Sequence, residues 1–161
     1  MTAELRRAGP LSQVGLRVTA GGDAAARVEG LLGVPLPLSP NTVAEGVLWL
    51  GPDEWLIVGR DEGEPRLREA LAGEGAAVEL SCNRVALELS GPQAPDVLAS
   101  CCSLDLHGVV FPTGRCAQTL VAGAPVIIER VDDRPGFRLL VRPSLVAYVE
   151  SWLADGIVGL A

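Results

Sequence analysis

The apolar residues of this chain come in short runs closed by Gly, Pro, Asn or Asp, a punctuation that forbids long helices and favours hairpins. Val14, Leu16 and Val18 alternate with Gly15, Arg17 and Thr19, the period of a half-buried strand over 14–20. Asp23 stands where an N-cap belongs, and Ala24, Val28, Leu31 and Leu32 then share one helical face that Gly33 can end. Pro35, Pro37 and Pro40 keep the next stretch extended. Apolar runs over 47–50 and 55–58, separated by the turn chemistry of Gly51-Pro52-Asp53-Glu54, read as a hairpin. Residues 65–71 predict a helix with Leu67, Ala70 and Leu71 inward and Gly73 at its end.

In the second half, 77–80 and 85–89 read as strands joined by Ser81-Cys82-Asn83-Arg84. Gly91-Pro92 opens a helix running to about Cys101, with Pro92 at the favoured first position and Pro95 within the first turn. Strands follow over 116–121, 125–131 and 137–142, the last two joined by Asp132-Asp133-Arg134-Pro135-Gly136. A final helix over 144–153 places Leu145, Tyr148, Val149, Trp152 and Leu153 on one apolar stripe suited to docking on a sheet. The order β-α-ββ-α-ββ-α-βββ-α predicts an α+β fold, mainly antiparallel sheets with packed helices. Residues 13–155 are expected to form a single domain, between a flexible N-terminus (1–12) and a C-terminal tail (156–161). Each half offers strands and two helices, but the halves share no motif.

Composition narrows the chemistry. A formal charge of −7 argues against nucleic acid and anionic membranes as partners, because both require cationic surface. All thirteen positive side chains are arginines, which removes lysine-based phosphate loops, Schiff bases and lysine general bases. No segment approaches the roughly 20 uninterrupted apolar residues of a membrane span, and no apolar stretch follows Arg6 and Arg7, so the cytoplasm is the expected compartment. Cys82, Cys101, Cys102 and Cys116 have no Cys-x-x-Cys spacing and read mainly as small buried hydrophobes. His107 is the only histidine, so no site can draw on two imidazoles.

Three constellations bear on catalysis, and each has a plainer structural reading. Asp53 and Glu54 are adjacent carboxylates, but neighbours on a turn point apart rather than flanking a substrate. Cys82 has Arg84 nearby to favour a thiolate, yet no base close in sequence. Asp105-Leu106-His107 could form a dyad if the loop folded back, or could simply bond backbone. Glycine-rich dinucleotide and phosphate loops are absent from the sequence. The residues therefore identify no catalytic, cofactor-binding or metal-binding group.

Three segments, in order, resemble the sarcosine oxidase gamma-subunit family. The first is Leu50-Gly51-Pro52-Asp53-Glu54-Trp55-Leu56-Ile57. The second runs from Leu87-Glu88-Leu89-Ser90-Gly91-Pro92-Gln93-Ala94 through Val97-Leu98, Cys102, Leu104-Asp105-Leu106-His107, Phe111 and Gly114 to Thr119. The third extends from Arg142 through Tyr148 to Ser151-Trp152-Leu153. Two positions depart from the family pattern, Gly108 after the Asp-Leu-His motif and Pro143-Ser144-Leu145 after Arg142.

The resemblance implies a short version of the folate-binding aminomethyltransferase (glycine-cleavage T-protein) fold. It implies a non-catalytic accessory subunit of an enzyme that oxidises the N-methyl group of sarcosine, with alpha, beta and delta chains as partners. FAD, FMN, NAD and tetrahydrofolate are then expected in the larger partner subunits and zinc in delta, with no cofactor in this chain. Asp105, His107, Phe111 and Arg115 mark a loop motif that could meet a partner. The alternative is a free-standing tetrahydrofolate-binding protein, for which Asp53, Asp96 and Asp105 are undistinguished candidates to hold the pterin.

Overall fold

The computed structural model describes residues 3–132 and 136–160. The first elements are β1 (Glu4–Arg7), β2 (Gln13–Val18), α1 (Asp23–Leu32), β3 (Val43–Ala44), β4 (Val47–Gly51) and β5 (Glu54–Val58). Next come α2 (Glu64–Leu71), β6 (Gly75–Glu79), β7 (Val85–Ser90) and α3 (Ala94–Ala99). The last are β8 (Cys116–Val121), β9 (Ala124–Asp132), β10 (Gly136–Val141), a 3₁₀ turn (Pro143–Leu145) and α4 (Val146–Gly159). The α+β class with antiparallel sheets is as expected. Where the sequence suggests one domain, the chain divides into two compact units, Leu11–Cys82 and Met1–Pro10 with Asn83–Ala161. The turn expected over 132–136 falls, at 133–135, outside the described residues.

The Leu11–Cys82 unit is a five-stranded sheet in the order β3-β4-β5-β2-β6. Val14, Leu16 and Val18 of β2 pack with Trp55 and Ile57 of β5 against Ala24, Ala25 and Val28 of α1 and Leu67 and Leu71 of α2. Asp23 is the first residue of α1 rather than its cap; Gly22 holds the cap position, and Gly33 ends the helix in the left-handed conformation. The Trp55 indole N–H donates to the Pro37 carbonyl at 2.8 Å, which fixes the proline-rich stretch over the sheet. Arg60 closes the free end of α1. Its guanidinium donates to the Leu32 carbonyl at 2.5 Å and the Glu45 carbonyl at 2.9 Å, and it pairs with Glu62. That pairing lowers the Glu62 pKa, chiefly through the hydrogen bond from Arg60.

The second unit has the sheet order β1-β7-β10-β9-β8. Residues 4–7, expected in a flexible N-terminus, are its edge strand, paired antiparallel with β7 from Glu4↔Ser90 to Arg7↔Leu87. Leu5 and Arg7 share one strand face, where Leu5 packs on the core and Arg7 forms a two-bond ion pair with Glu150 of α4 at 2.5 and 2.6 Å, while Arg6 on the other face pairs with Glu88. The neighbouring strands β6 and β7 do not form a hairpin; Ser81-Cys82-Asn83-Arg84 carries the chain from one unit to the other. Leu87, Leu89, Ile128, Phe137 and Leu139 pack under Val97, Leu98, Val149 and Leu153 of the two helices.

Two helices differ from expectation in detail. The α3 helix begins at Ala94 with Pro95 in its first turn, because Gly91 adopts positive φ and keeps Pro92 in the preceding turn. The α4 helix continues to Gly159, through most of the expected C-terminal tail. Its buried stripe is Val146, Val149 and Leu153, whereas Tyr148 and Trp152 remain 46% and 47% exposed. The Tyr148 hydroxyl donates to the Ala122 carbonyl at 2.6 Å, so its ring lies along the surface at the β8–β9 turn.

Candidate functional site

The loop before β8 contains the four residues singled out in the sequence, and each proves to fold the loop itself. The Asp105 carboxylate accepts from the His107 backbone N–H at 3.0 Å, a local turn rather than a bond to the imidazole. His107 Nδ1 accepts from the Val109 N–H at 3.3 Å, and the His107 carbonyl accepts from Val110 and Phe111 at 2.9 and 2.8 Å. Phe111 is buried in the second unit's core and anchors the turn. The Arg115 carbonyl accepts from the Arg130 N–H at 3.0 Å and so joins the loop to β9. The loop thus brings Asp105 and His107 close, but in a geometry that organises backbone rather than relays a proton.

Arg130 supports that loop from below. It is only 7% exposed, stacks its guanidinium 5.4 Å from the Phe137 ring centroid, and donates to the Leu106 carbonyl at 3.4 Å. Gly108 sits against the same guanidinium. Val109 and Val110 are left at the exposed tip.

The remaining sequence candidates are dispersed. Asp53 has a positive φ of 58°, and its carboxylate accepts from the Ala20 N–H at 2.7 Å, tying the β4–β5 turn to the end of β2. Asp96 lies in the first turn of α3. Cys82 is exposed in the segment joining the units, while Cys102 and Cys116 are buried. Burial is the main cause of a raised Cys101 pKa, which keeps that thiol protonated. Among the described residues no three His, Cys, Asp or Glu side chains are grouped to hold a metal.

The feature that sequence reading missed is a cavity of about 330 Å³ on the second unit's sheet. Arg84, Gln118, Pro125, Ile127 and Arg142 line it, together with the half-exposed Leu120. The register explains how residues 58 positions apart meet: Val85 is opposite Val141, so Arg84 and Arg142 flank the same end of the β7–β10 pair. Elsewhere on this sheet opposite charges alternate across the strands, Arg6 with Glu88 and Arg138 with Glu129. Here two guanidiniums are neighbours. Arg84 accordingly has a lowered pKa, first through burial and then through the charge of Arg142. Only strand pairing reveals this, and pairing between non-consecutive strands has no local signature.

Comparison with known proteins places this geometry. The family model described as sarcosine oxidase, gamma subunit family, matches residues 18–158. The sarcosine oxidase subunit gamma of an Arthrobacter species is 39% identical over 166 residues, covering 98% of this chain and 81% of the relative. Heterotetrameric sarcosine oxidase from Corynebacterium sp. U-96, solved with pyrrole 2-carboxylate, contains a chain that superposes with TM-score 0.90 at 34% identity, over 98% of this chain and 84% of that one. The aminomethyltransferase T of the glycine cleavage system from Bartonella henselae superposes with TM-score 0.71 at 18% identity, over 94% of this chain and 45% of that one. That second likeness bears on fold alone and agrees with the aminomethyltransferase-like architecture implied by the motifs. On the extent of these matches, the chain belongs to the sarcosine oxidase gamma-subunit family.

Proposed function

We propose that this protein is a non-catalytic accessory subunit of a heterotetrameric sarcosine oxidase, in which alpha, beta and delta chains carry the flavin, NAD, folate and zinc chemistry. The observation that carries the reading is the near full-length superposition on a chain of that heterotetramer. The use of Asp105 and His107 as backbone acceptors supports it, because the chain's only imidazole then serves loop structure. The subunit works in the cytoplasm and contributes folded surface rather than reacting groups. A free-standing folate protein is less well supported. It needs a carboxylate for the pterin, and Asp53 and Asp105 already accept backbone N–H groups.

Co-expression with alpha-, beta- and delta-like chains tests the proposal. A single complex with flavin absorbance and sarcosine-dependent peroxide formation is expected, while the isolated chain shows neither. Separate elution of all the chains would sink the reading. Micromolar tetrahydrofolate binding by the isolated chain would favour the folate alternative instead.

A further inference from the structure

The geometry points to a protein-docking surface at one end of the second unit, where Val109, Val110, Val131, Val158 and Leu160 meet an aliphatic groove with a basic rim on another chain of the oxidase complex. This inference rests on the accessory-subunit reading and deepens it, by naming the surface and the chemistry of its partner.

The first argument is placement. Those five are half of the ten large apolar side chains left exposed among the described residues, and Val109 and Val158 are the most exposed of the ten, at 83% and 76%. The topology brings the five to one end of the β1-β7-β10-β9-β8 sheet. Val131 is next to last in β9, whose end pairs with the start of β10 through Gly136↔Asp132. Arg130, one residue earlier, reaches the Leu106 carbonyl and lies against Gly108, which puts the Val109-Val110 tip at that end. β7 also ends there, with Ser90 opposite Gly136, and Gln93 just beyond it holds the Leu160 carbonyl at 3.1 Å. Apolar side chains scattered singly over a surface carry no message, whereas a cluster of them marks an interaction site.

The second argument is preorganisation. The His107 carbonyl accepts from both the Val110 and the Phe111 N–H, Phe111 is buried beneath, and the Arg130 guanidinium packs against Gly108. The two valines are therefore held outward on a braced turn, and a contact surface ordered in advance loses less entropy on binding. Charge then selects the occupant. Glu4, Asp105 and Asp155 are exposed acidic residues at the same end: Glu4 is opposite Ser90, Asp105 precedes the tip, and Asp155 lies one turn before Val158. A second copy docked face to face would set these carboxylates against each other, and an anionic membrane would repel them. Five aliphatic side chains also fall short of the roughly 20–30 residues that a standard interface takes on each side. They suit the apolar centre of a larger contact, with a different chain that brings arginine or lysine to the rim.

Competitive assembly tests this. The parent chain and a variant, carrying different tags, are co-expressed with alpha-, beta- and delta-like chains, and the ratio of the two in the purified complex is measured. The double variant Val109→Ser with Val110→Ser should be depleted about tenfold or more, as loss of a buried apolar anchor predicts. Val158→Ser, on a separate element, should be depleted about threefold or more. Leu38→Ser, at an exposed apolar position of the other unit, should compete equally with the parent. Asp155→Arg should be depleted at low salt, with the deficit shrinking as salt is raised. Urea denaturation of each free variant should match the parent, because the altered side chains are exposed. Equal incorporation of the double variant or of Val158→Ser overturns the surface, and equal or enriched incorporation of Asp155→Arg overturns the basic rim. A free parent chain that dimerises, and is made monomeric by the double variant, overturns the proposal in favour of a second copy. If the complex forms without either tagged chain, the accessory-subunit reading fails and the surface falls with it. A complex that takes up parent and variants alike leaves that reading standing and removes the surface alone.

Discussion

In the Leu11–Cys82 unit, the strand beside β2 is β6, reached three residues after α2 ends. In the other unit, the place beside β7 is taken by β1, from the start of the chain. Otherwise the two sheets correspond strand for strand, β3-β4-β5-β2-β6 with β8-β9-β10-β7-β1. Even the first hairpins match. Glu45-Gly46 joins β3 to β4 with φ of 43° and 83°, and Ala122-Gly123 joins β8 to β9 with φ of 49° and 80°. Positive φ at both positions is the signature of the tight two-residue turn that suits strand twist. At Gly46 a side chain is excluded outright, since a Cβ would lie 2.6 Å from the Val58 carbonyl oxygen.

Each unit is thus a β-α-β-β-α-β motif with an added edge strand, one continuous and one opened between its second helix and last strand. The opened ends remain close. Gln93, just beyond β7, donates to the Leu160 carbonyl at 3.1 Å, and Glu4 pairs with Ser90 at the same end of β7. The difference teaches that the sheet plan is set by side-chain alternation and tight turns, while chain order decides only which segment fills the last edge.

The largest effects should come from equivalent core positions. Trp55 and Phe137 are the first inward-facing residues of β5 and β10, with 1% and 0% exposure. Trp55→Ala and Phe137→Ala should each cost about 3–5 kcal/mol, by lost transfer energy and residual cavity. Urea denaturation checks this, and a cost below about 1 kcal/mol at either position would break the equivalence of the two cores.

Next in size is the edge strand itself. Deleting residues 1–8 removes the partly buried Leu5 and uncovers one edge of β7, at a cost of about 2–3 kcal/mol. Moving residues 3–10 behind Gly159 through a short glycine linker should restore stability to within about 1 kcal/mol, because closure entropy changes only logarithmically with loop length. The contacts of β1 with α4, Arg7–Glu150 among them, become local in sequence while the distance of β1 from β7 hardly changes, so refolding should not slow. A rearranged chain no more stable than the deletion would show that the opened motif is not equivalent to the continuous one.

Much of this was legible in the sequence because the signals are local. The alternation in β2, the Gly51-Pro52-Asp53-Glu54 turn and the apolar period of α4 each specify an element from a few neighbouring residues. The Glu4–Arg7 strand was not legible: Glu-Leu-Arg-Arg has one apolar residue, and its strand identity comes from β7 and from Glu150. The split between β6 and β7 was hidden for the same reason, since two strands and a turn look alike whether they pair or part. At the site, the Asp105-Leu106-His107 motif was visible, but its role depends on which atom accepts which backbone proton. The Arg84 and Arg142 pair was invisible, because strand register alone brings the two together.

The smallest effect distinguishes the two ways of holding the last elements in place. In the opened unit, Arg7 on β1 clasps Glu150 on α4, and that hydrogen bond is the main reason the Glu150 pKa is lowered. A carboxylate with a lowered folded pKa contributes stability above its unfolded value of about 4.3, and the contribution is lost as pH falls through the folded value. The Arg7→Ala variant should therefore lose a small increment of stability near neutral pH and show a shallower loss on acidification. Arg7 is exposed and Glu150 only partly buried, so salt should reduce the difference. In the continuous unit, the lowered Glu62 pKa depends on Arg60, which also caps α1. Acid titration of Arg7→Ala should leave that second contribution intact. If the variant matches the parent chain at every pH, β1 is held by strand pairing and Leu5 alone, and the ion pair adds nothing measurable to the swapped edge.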